Sequence, residues 1–176
     1  MGKRPSVCRV IMNSCKSAVA SIVLFVLYRA IKVLHDCDSR IRYEFASWPE
    51  GLILELAASA NGPALFLKKS DGRLVRLRRK ELEASTHTVK ADISIVFKSV
   101  DAAFLVLTGQ IGVAQAYAQH RFTLQGDIAM TMSFVRCVDI AEAYLFPSFM
   151  TRRILKRIPK KQTSSLGVYR RILFGV

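Results

Sequence analysis

Hydrophobic and polar positions follow two periods along this chain. Over residues 91–97, ADISIVF, the residues Ile93, Ile95 and Phe97 alternate with Asp92, Ser94 and Val96, the period of a half-buried strand. Ser99 then offers an N-cap, Asp101 falls in a first turn where the helix dipole favours an acid, and Gly109 is a natural stop. The pattern predicts a short helix over residues 100–108. It carries Phe104, Leu105, Val106 and Leu107, more apolar surface than one stripe facing a sheet requires, so something else must cover it. A second short apolar helix is expected around Ala116 and Tyr117, and RFTLQ (residues 121–125) reads as a strand. After Gly126 and Asp127, the residues Ile128, Met130, Met132 and Phe134 alternate as a strand would. The series Ile128, Met132, Val135 and Met130, Phe134, Val138, Ala141 fit a helix equally well. The capping Asp127 and a run reaching toward Glu142 favour the helix. Upstream, residues 51–56, 64–69 and 73–79 are three further candidate strands, with Ser70, Asp71 and Gly72 as the hairpin turn between the last two.

The two ends follow a different pattern. Residues 17–28, SAVASIVLFVLY, form an uncharged run of twelve, whereas a bilayer span needs ~20 apolar residues. Extending it back to Val10 takes in Asn13 and Lys16, each costly at bilayer depth. A spanning helix, an interfacial helix and a core or oligomer-forming helix all remain open. Arg29, Ala30, Ile31 and Lys32 continue the helix with no A-x-A site, which argues against a secretory signal. At the other end, Pro147 suits a first helical turn. Met150, Ile154 and Ile158 then share one side of a helix, with Arg152, Arg153, Lys156 and Arg157 on the other and Pro159 as its stop. A polar hinge over residues 162–165 leads to VYRRILF (residues 168–174), basic and apolar together. Membrane contact and a surface helix packed on the core both fit this tail.

Length and composition allow one good core in 176 residues that are 51% hydrophobic. The expected division is a basic and apolar helical extension (1–40), a folded domain (41–146) and a basic amphipathic tail (147–176). The net charge of +14 is concentrated at the ends. Lys3, Arg4, Arg9, Lys16, Arg29 and Lys32 precede any acid, and Arg152, Arg153, Lys156, Arg157, Lys160, Lys161, Arg170 and Arg171 follow the last one. The interval between holds 13 bases and all 13 acids, so it is neutral. Such ends suit an anionic surface. Nucleic acid would accept the charge but has no use for Ile154, Leu155, Leu173 and Phe174, so an anionic membrane is the expected partner. The eight C-terminal cations are the expected membrane-binding residues. Arg76, Arg78, Arg79 and Lys80, with Glu81 and Glu83 close by, read as the solvent face of an edge strand rather than a nucleic-acid stripe.

Chemistry-bearing motifs are missing from the sequence. It holds no G-x-S-x-G, P-loop, G-x-G-x-x-G or H-E-x-x-H pattern. Cys8, Cys15, Cys37 and Cys137 lack metal-ligand spacing and read as reduced thiols of a cytosolic protein. His35, Asp36, Cys37 and Asp38 are better explained by a helix end than by a metal, and His87 and His120 read as loop residues. Residues 1–6, MGKRPS, satisfy the myristoylation pattern, with Cys8 as a second anchor. The reading is a non-enzyme with no cofactor and no metal, cytoplasmic and peripherally membrane-associated.

Between Ala91 and Phe134 the chain resembles the sterol-carrier-protein family of small lipid-binding domains. The resemblance rests on Leu107-Thr108-Gly109, Ala116-Tyr117-Ala118, Arg121-Phe122-Thr123-Leu124 and Gly126-Asp127 in the family's order. The chain departs from the family at Gly112-Val113, where Asn-Pro is frequent, and at His120, where Gly is. Gly126-Asp127 before an apolar run, with Asp139-Ile140-Ala141-Glu142 beyond it, is also similar to bacterial relatives that serve as accessory factors in isoprenoid-quinone (ubiquinone) synthesis. The resemblance implies an α+β fold with a single domain, its five-stranded mainly antiparallel sheet covered by helices that enclose an apolar cavity. The ligand it implies is a sterol, fatty acyl lipid, phospholipid or isoprenoid quinone. Lining residues would be Phe104, Leu105, Leu107, Ile111, Tyr117, Phe122, Leu124, Met130, Met132 and Phe134. A membrane-tethered accessory subunit whose interior is filled by its own side chains, with a protein partner or second copy at the N-terminal helix, fits the same sequence.

Overall fold

Asp71 and Gly72 both take positive φ, 52° and 73°, so the two-residue loop has the twist that joins antiparallel strands tightly. This hairpin starts the sheet of a computed structural model that describes residues 7–78, 91–147, 151–152 and 161–174, with side chains from residue 14 onward. In chain order the elements are α1 (Val7–Cys37), α2 (Ser39–Ala46), β1 (Ile53–Ala57), β2 (Ala64–Ser70), β3 (Arg73–Leu77) and β4 (Ile93–Phe97). They continue with α3 (Val100–Leu107), α4 (Val113–Ala118), β5 (Phe122–Gln125), α5 (Ile128–Leu145) and α6 (Ser165–Phe174). The five strands lie in the order β3-β2-β1-β4-β5. Every pairing is antiparallel except β1 with β4, which run parallel. The architecture is a single-domain α+β fold with a mainly antiparallel sheet, as expected.

Register explains which side chains enter the core. Leu54 sits opposite Leu67 and Ile93, Leu56 opposite Leu65 and Ile95, and Phe97 opposite Phe122. One face of the sheet is therefore mostly apolar, with Lys69 of β2 and Arg76 of β3 as the cations on it, and the helices pack on it. The short helix α3 was left with apolar surface to cover, and α1 covers it. Lys16 of α1 pairs with Asp101 in the first turn of α3. The Ser99 hydroxyl caps α3 by accepting from the Ala102 amide at 3.1 Å.

The N-terminal helix belongs to the core on one side. Ala20, Leu24, Leu27, Ala30, Ile31 and Leu34 recur at helical spacing and are buried. Residues 14–37 are long and apolar enough to cross a membrane by length and composition. Crossing would strip that buried stripe from the sheet and from α3, α5 and α6, so the core-helix reading accounts for this face. Val19, Ile22 and Phe25 on the outer side are exposed.

The C-terminal end is also tied in. Val168 and Ile172 of α6 are buried against the rest of the core. The Tyr144 hydroxyl accepts from the backbone amides of Gln162 at 2.7 Å and Thr163 at 3.2 Å, and itself donates to Asp38 at 3.3 Å. A boundary near residue 147 therefore does not separate a detached tail from the core. The amphipathic helix expected over residues 150–158 falls largely outside the described residues, with Thr151 and Arg152 helical. Residues 1–6, which satisfy the myristoylation pattern, also lie outside them.

Candidate functional site

Residues of the expected ligand site sit where β4 passes through α3 and α4 into β5 and on into the first turns of α5. Two helix ends here share one geometry. At the end of α3, Gly109 has φ 68°, its amide donates to the Val106 carbonyl at 2.9 Å, and the Gln110 amide reaches the Leu105 carbonyl at 2.9 Å. At the end of α4, His120 has φ 52°, its amide donates to the Tyr117 carbonyl at 2.9 Å, and the Arg121 amide reaches the Ala116 carbonyl at 2.9 Å. His120 thus adopts a left-handed conformation for which glycine is the default. Gly126 is constrained further. At φ 110°, a Cβ there would lie 2.1 Å from the Asp92 carbonyl oxygen and 3.0 Å from the Ile93 Cα, so only glycine lets β5 turn into α5 so close to β4. Asp127 then caps α5 by accepting from the Met130 amide at 2.9 Å.

The ten expected lining residues divide into three groups. Leu107, Phe122 and Phe134 are buried core residues. Phe122 makes ring contacts with Phe97 and Tyr117, at centroid distances of 5.5 and 5.7 Å, and Phe134 stands 6.4 Å from the Trp48 ring. Phe104, Leu105, Ile111, Leu124 and Met130 are half-buried, the last three packed against the core from outside. Tyr117 and Met132 are 62% and 48% exposed, which corrects their placement inside an enclosed space. The correction for Met132 follows from helix phase. In α5 the series through Met130, Phe134, Val138 and Ala141 faces inward, and the series through Ile128 and Met132 faces out. From residue 104 to 132 the chain therefore carries a run of partly covered apolar side chains over a filled core.

The other side of the helical layer holds polar groups that sequence reading did not pick out. Asp38 is fully buried; it caps α2 through the Arg40 amide at 3.0 Å and receives the Arg40 guanidinium at 2.6 and 2.9 Å. Burial alone would raise its pKa, but Arg40 more than offsets this and holds the carboxyl below its usual range. Lys69, alternating inward from β2, donates to the carbonyls of Phe45 in the last turn of α2 at 2.8 Å and Trp48 just past its end at 2.5 Å. Trp48 donates to the Ser133 hydroxyl at 3.0 Å. Arg136 forms a two-pronged pair with Glu44 at 2.6 and 2.7 Å, which lowers the Glu44 pKa. The available signal was Asp38 immediately before SRIR, an N-cap in the right place. Further along α5, burial pushes the Asp139 carboxyl up to about 6, and burial with the neighbouring Asp139 charge pushes Glu142 up to about 8.

Among the expected membrane-binding cations, Arg152, Lys161, Arg170 and Arg171 are exposed, while Arg153, Lys156, Arg157 and Lys160 lie outside the described residues. Arg171 contacts the Cys37 sulfur at 2.7 Å, and Lys161 bonds the Ser165 hydroxyl at 2.7 Å. Among the described residues no group of three or more His, Cys, Asp and Glu side chains could hold a metal ion. Burial raises the Cys137 thiol pKa strongly, so this cysteine stays a neutral packing group.

No family model matches the sequence, and no curated protein matches it. Among solved structures the chain is similar to one titled "UbiJ-SCP2 Ubiquinone synthesis protein", at 18% identity over 75% of this chain and 99% of that one, with a TM-score of 0.41.

Proposed function

We propose that this protein is a non-enzymatic binder or carrier of a hydrophobic ligand, of the sterol, acyl lipid, phospholipid or isoprenoid-quinone class, working at an anionic membrane surface. One observation carries this reading: between residues 104 and 132, Phe104, Leu105, Ile111, Leu124 and Met130 are only half-covered, and Tyr117, Ile128 and Met132 are exposed. Single exposed apolar residues are ordinary, but so many within one segment that leads into and out of edge strand β5 suit an apolar chain as their cover. Methionines at positions 130 and 132 suit a ligand with flexible tails. The sequence resemblance to sterol-carrier proteins supports the same class. Exposed cations on α6 and at Arg152 suit approach to anionic lipid.

A ligand that binds only the folded state must raise its melting temperature. A panel of sterols, fatty acids, phospholipids and quinones, run against displacement of a fluorescent lipid and followed by native mass spectrometry, should yield at least one binder with both a shift and displacement. A panel with no shift and no displacement would sink the carrier reading. The second reading, an accessory subunit in isoprenoid-quinone synthesis with no exchangeable ligand, is favoured by Leu107, Phe122 and Phe134, which fill the interior with the chain's own side chains.

A further inference from the structure

Phe25 lies on the outer side of α1 and is 41% exposed. Arg29, one turn along the helix, places its guanidinium carbon 6.0 Å from the Phe25 ring centroid, and Arg76 of edge strand β3 brings another to 5.4 Å. Arg76 reaches the ring because its register partner is Leu67, which puts it on the sheet face that α1 covers. Lys32, exposed and three residues beyond Arg29, adds a third cation to the same helical stripe.

What distinguishes Arg29 and Arg76 is that both lie over one aromatic ring without a carboxylate between them. Lys16, Arg40, Lys69, Arg73 and Arg136 each have a carboxylate, from Asp101, Asp38, Glu50, Asp36 and Glu44 in turn. Among the described residues, no carboxylate lies within ion-pair distance of Arg29 or Arg76. The acid nearest along the helix, Asp36, is taken by Arg73 at 3.1 Å. Two guanidinium groups on one ring repel each other, and the ring quadrupole compensates only weakly at an exposed site. A bridging anion would turn that repulsion into attraction on both sides.

We propose that Phe25, Arg29 and Arg76 form a binding site for the phosphate group of an amphiphilic phosphate ester. The planar guanidinium fork matches phosphate oxygens two at a time, and two such forks with Lys32 suit a group that carries more charge than one carboxylate. The exposed side chains of Ile22 and Val19 continue the stripe away from the cations and give the ester's apolar part a place beside its phosphate. Such a phosphate can come from a bilayer headgroup or from a free phosphate compound. The site shares the anionic surface with the proposed function but does not involve the carried ligand.

The test uses the full chain and two probes: phosphatidylcholine vesicles with and without phosphatidic acid, in a sedimentation assay, and inorganic pyrophosphate, by calorimetry. The double variant R29Q/R76Q should bind phosphatidic acid vesicles on the order of tenfold more weakly or worse. R42Q/K98Q, which removes the same charge from exposed positions on α2 and after β4, should lose less than about threefold. Pyrophosphate that binds the native chain and competes with vesicles identifies a free-phosphate source; vesicle binding without it identifies the lipid headgroup. Equal losses in the two double variants, or no loss in R29Q/R76Q for either probe, would overturn the site. Should R29Q/R76Q fold poorly, R76Q alone changes an exposed edge-strand residue and should still weaken binding several-fold. Ligand displacement by the carrier assay should be unchanged in R29Q/R76Q, so failure of this site and failure of the carrier reading are told apart.

Discussion

The helical layer differs between its two sides. Over β2, Leu34, Ile41, Phe45, Trp48, Phe134 and Tyr144 are buried, and three polar side chains among them are bonded: Asp38 to Arg40 and Tyr144, Lys69 to two carbonyls, and Trp48 to Ser133, while the His35 Nδ1 beside Phe45 is buried without a hydrogen-bond partner. Over β5, Phe104, Leu105, Ile111, Leu124 and Met130 are half-covered around the buried Leu107 and Phe122, and the Lys16–Asp101 pair stands at the start of α3. A filled, polar-locked region tolerates little change, because each vacancy or orphaned group there costs fully. A half-covered apolar region loses less on truncation and can accept a guest. Stability and the proposed ligand binding thus fall toward opposite ends of one sheet face.

The largest expected effect tests this contrast directly. Phe134→Ala should cost ~3 to 5 kcal/mol in denaturant unfolding, the range for an aromatic lost from a packed core. Phe104→Ala should cost well under that and instead shift ligand preference toward bulkier molecules. Equal costs for the two, with unchanged selectivity, would erase the distinction between the sides.

Next in size is the C-terminal helix. A chain ending at Lys160 loses Val168 and Ile172 from the core and the two amides that Tyr144 accepts, so it should be less stable by roughly 3 kcal/mol. Unchanged unfolding of the truncated chain would show that α6 rests on the filled side without supporting it.

A pH series sharpens the comparison further, because the buried carboxylates of α5 belong to the filled side. Asp139 and Glu142 are raised in the folded state to about 6 and about 8, while the unfolded chain keeps ordinary carboxyl values. Ionising them therefore favours unfolding. Their contribution is intact below the ordinary carboxylate range and is lost as pH rises through 6 and then 8. Asp38 and Glu44, lowered by their arginines, act oppositely and matter only when pH falls below their usual range. The melting temperature should thus rise by several degrees from pH 8.5 to 5.5, and Glu142→Gln should flatten most of that rise. A flat native profile over this window would mean that Glu142 is charged and paired in the folded protein.

The smallest effect lies on the half-covered side. His120→Gly should stabilise by up to ~1 kcal/mol, since glycine takes the left-handed conformation at the end of α4 without a Cβ penalty. A destabilised variant would mean that the imidazole makes a contact worth more than the strain.

Local chemistry made much of this fold legible in the sequence. Ser99, Gly109, Gly126 and Asp127 act within a few residues of themselves, so helix α3, its end and the start of α5 could be read from spacing alone, as could the turn at Asp71 and Gly72. The alternation of Ile93, Ile95 and Phe97 likewise stated which face of β4 is buried, and inspection of α5 supplied two candidate stripes. Which stripe turns inward was decided by tertiary structure, because the sheet and α1 lie on one side of that helix only; Met132 accordingly ended outside. The same holds for the N-terminal helix, apolar nearly all round: nothing within it distinguishes Leu24 from Ile22, and only the position of the sheet and α3 buries one and exposes the other. The burial of Lys69 was beyond sequence reading for the same physical reason. A charge is tolerated in the interior only where partners satisfy it; Asp38 has Arg40 two residues away, but the Phe45 and Trp48 carbonyls that hold Lys69, and the Tyr144 hydroxyl on Asp38, are brought by the fold.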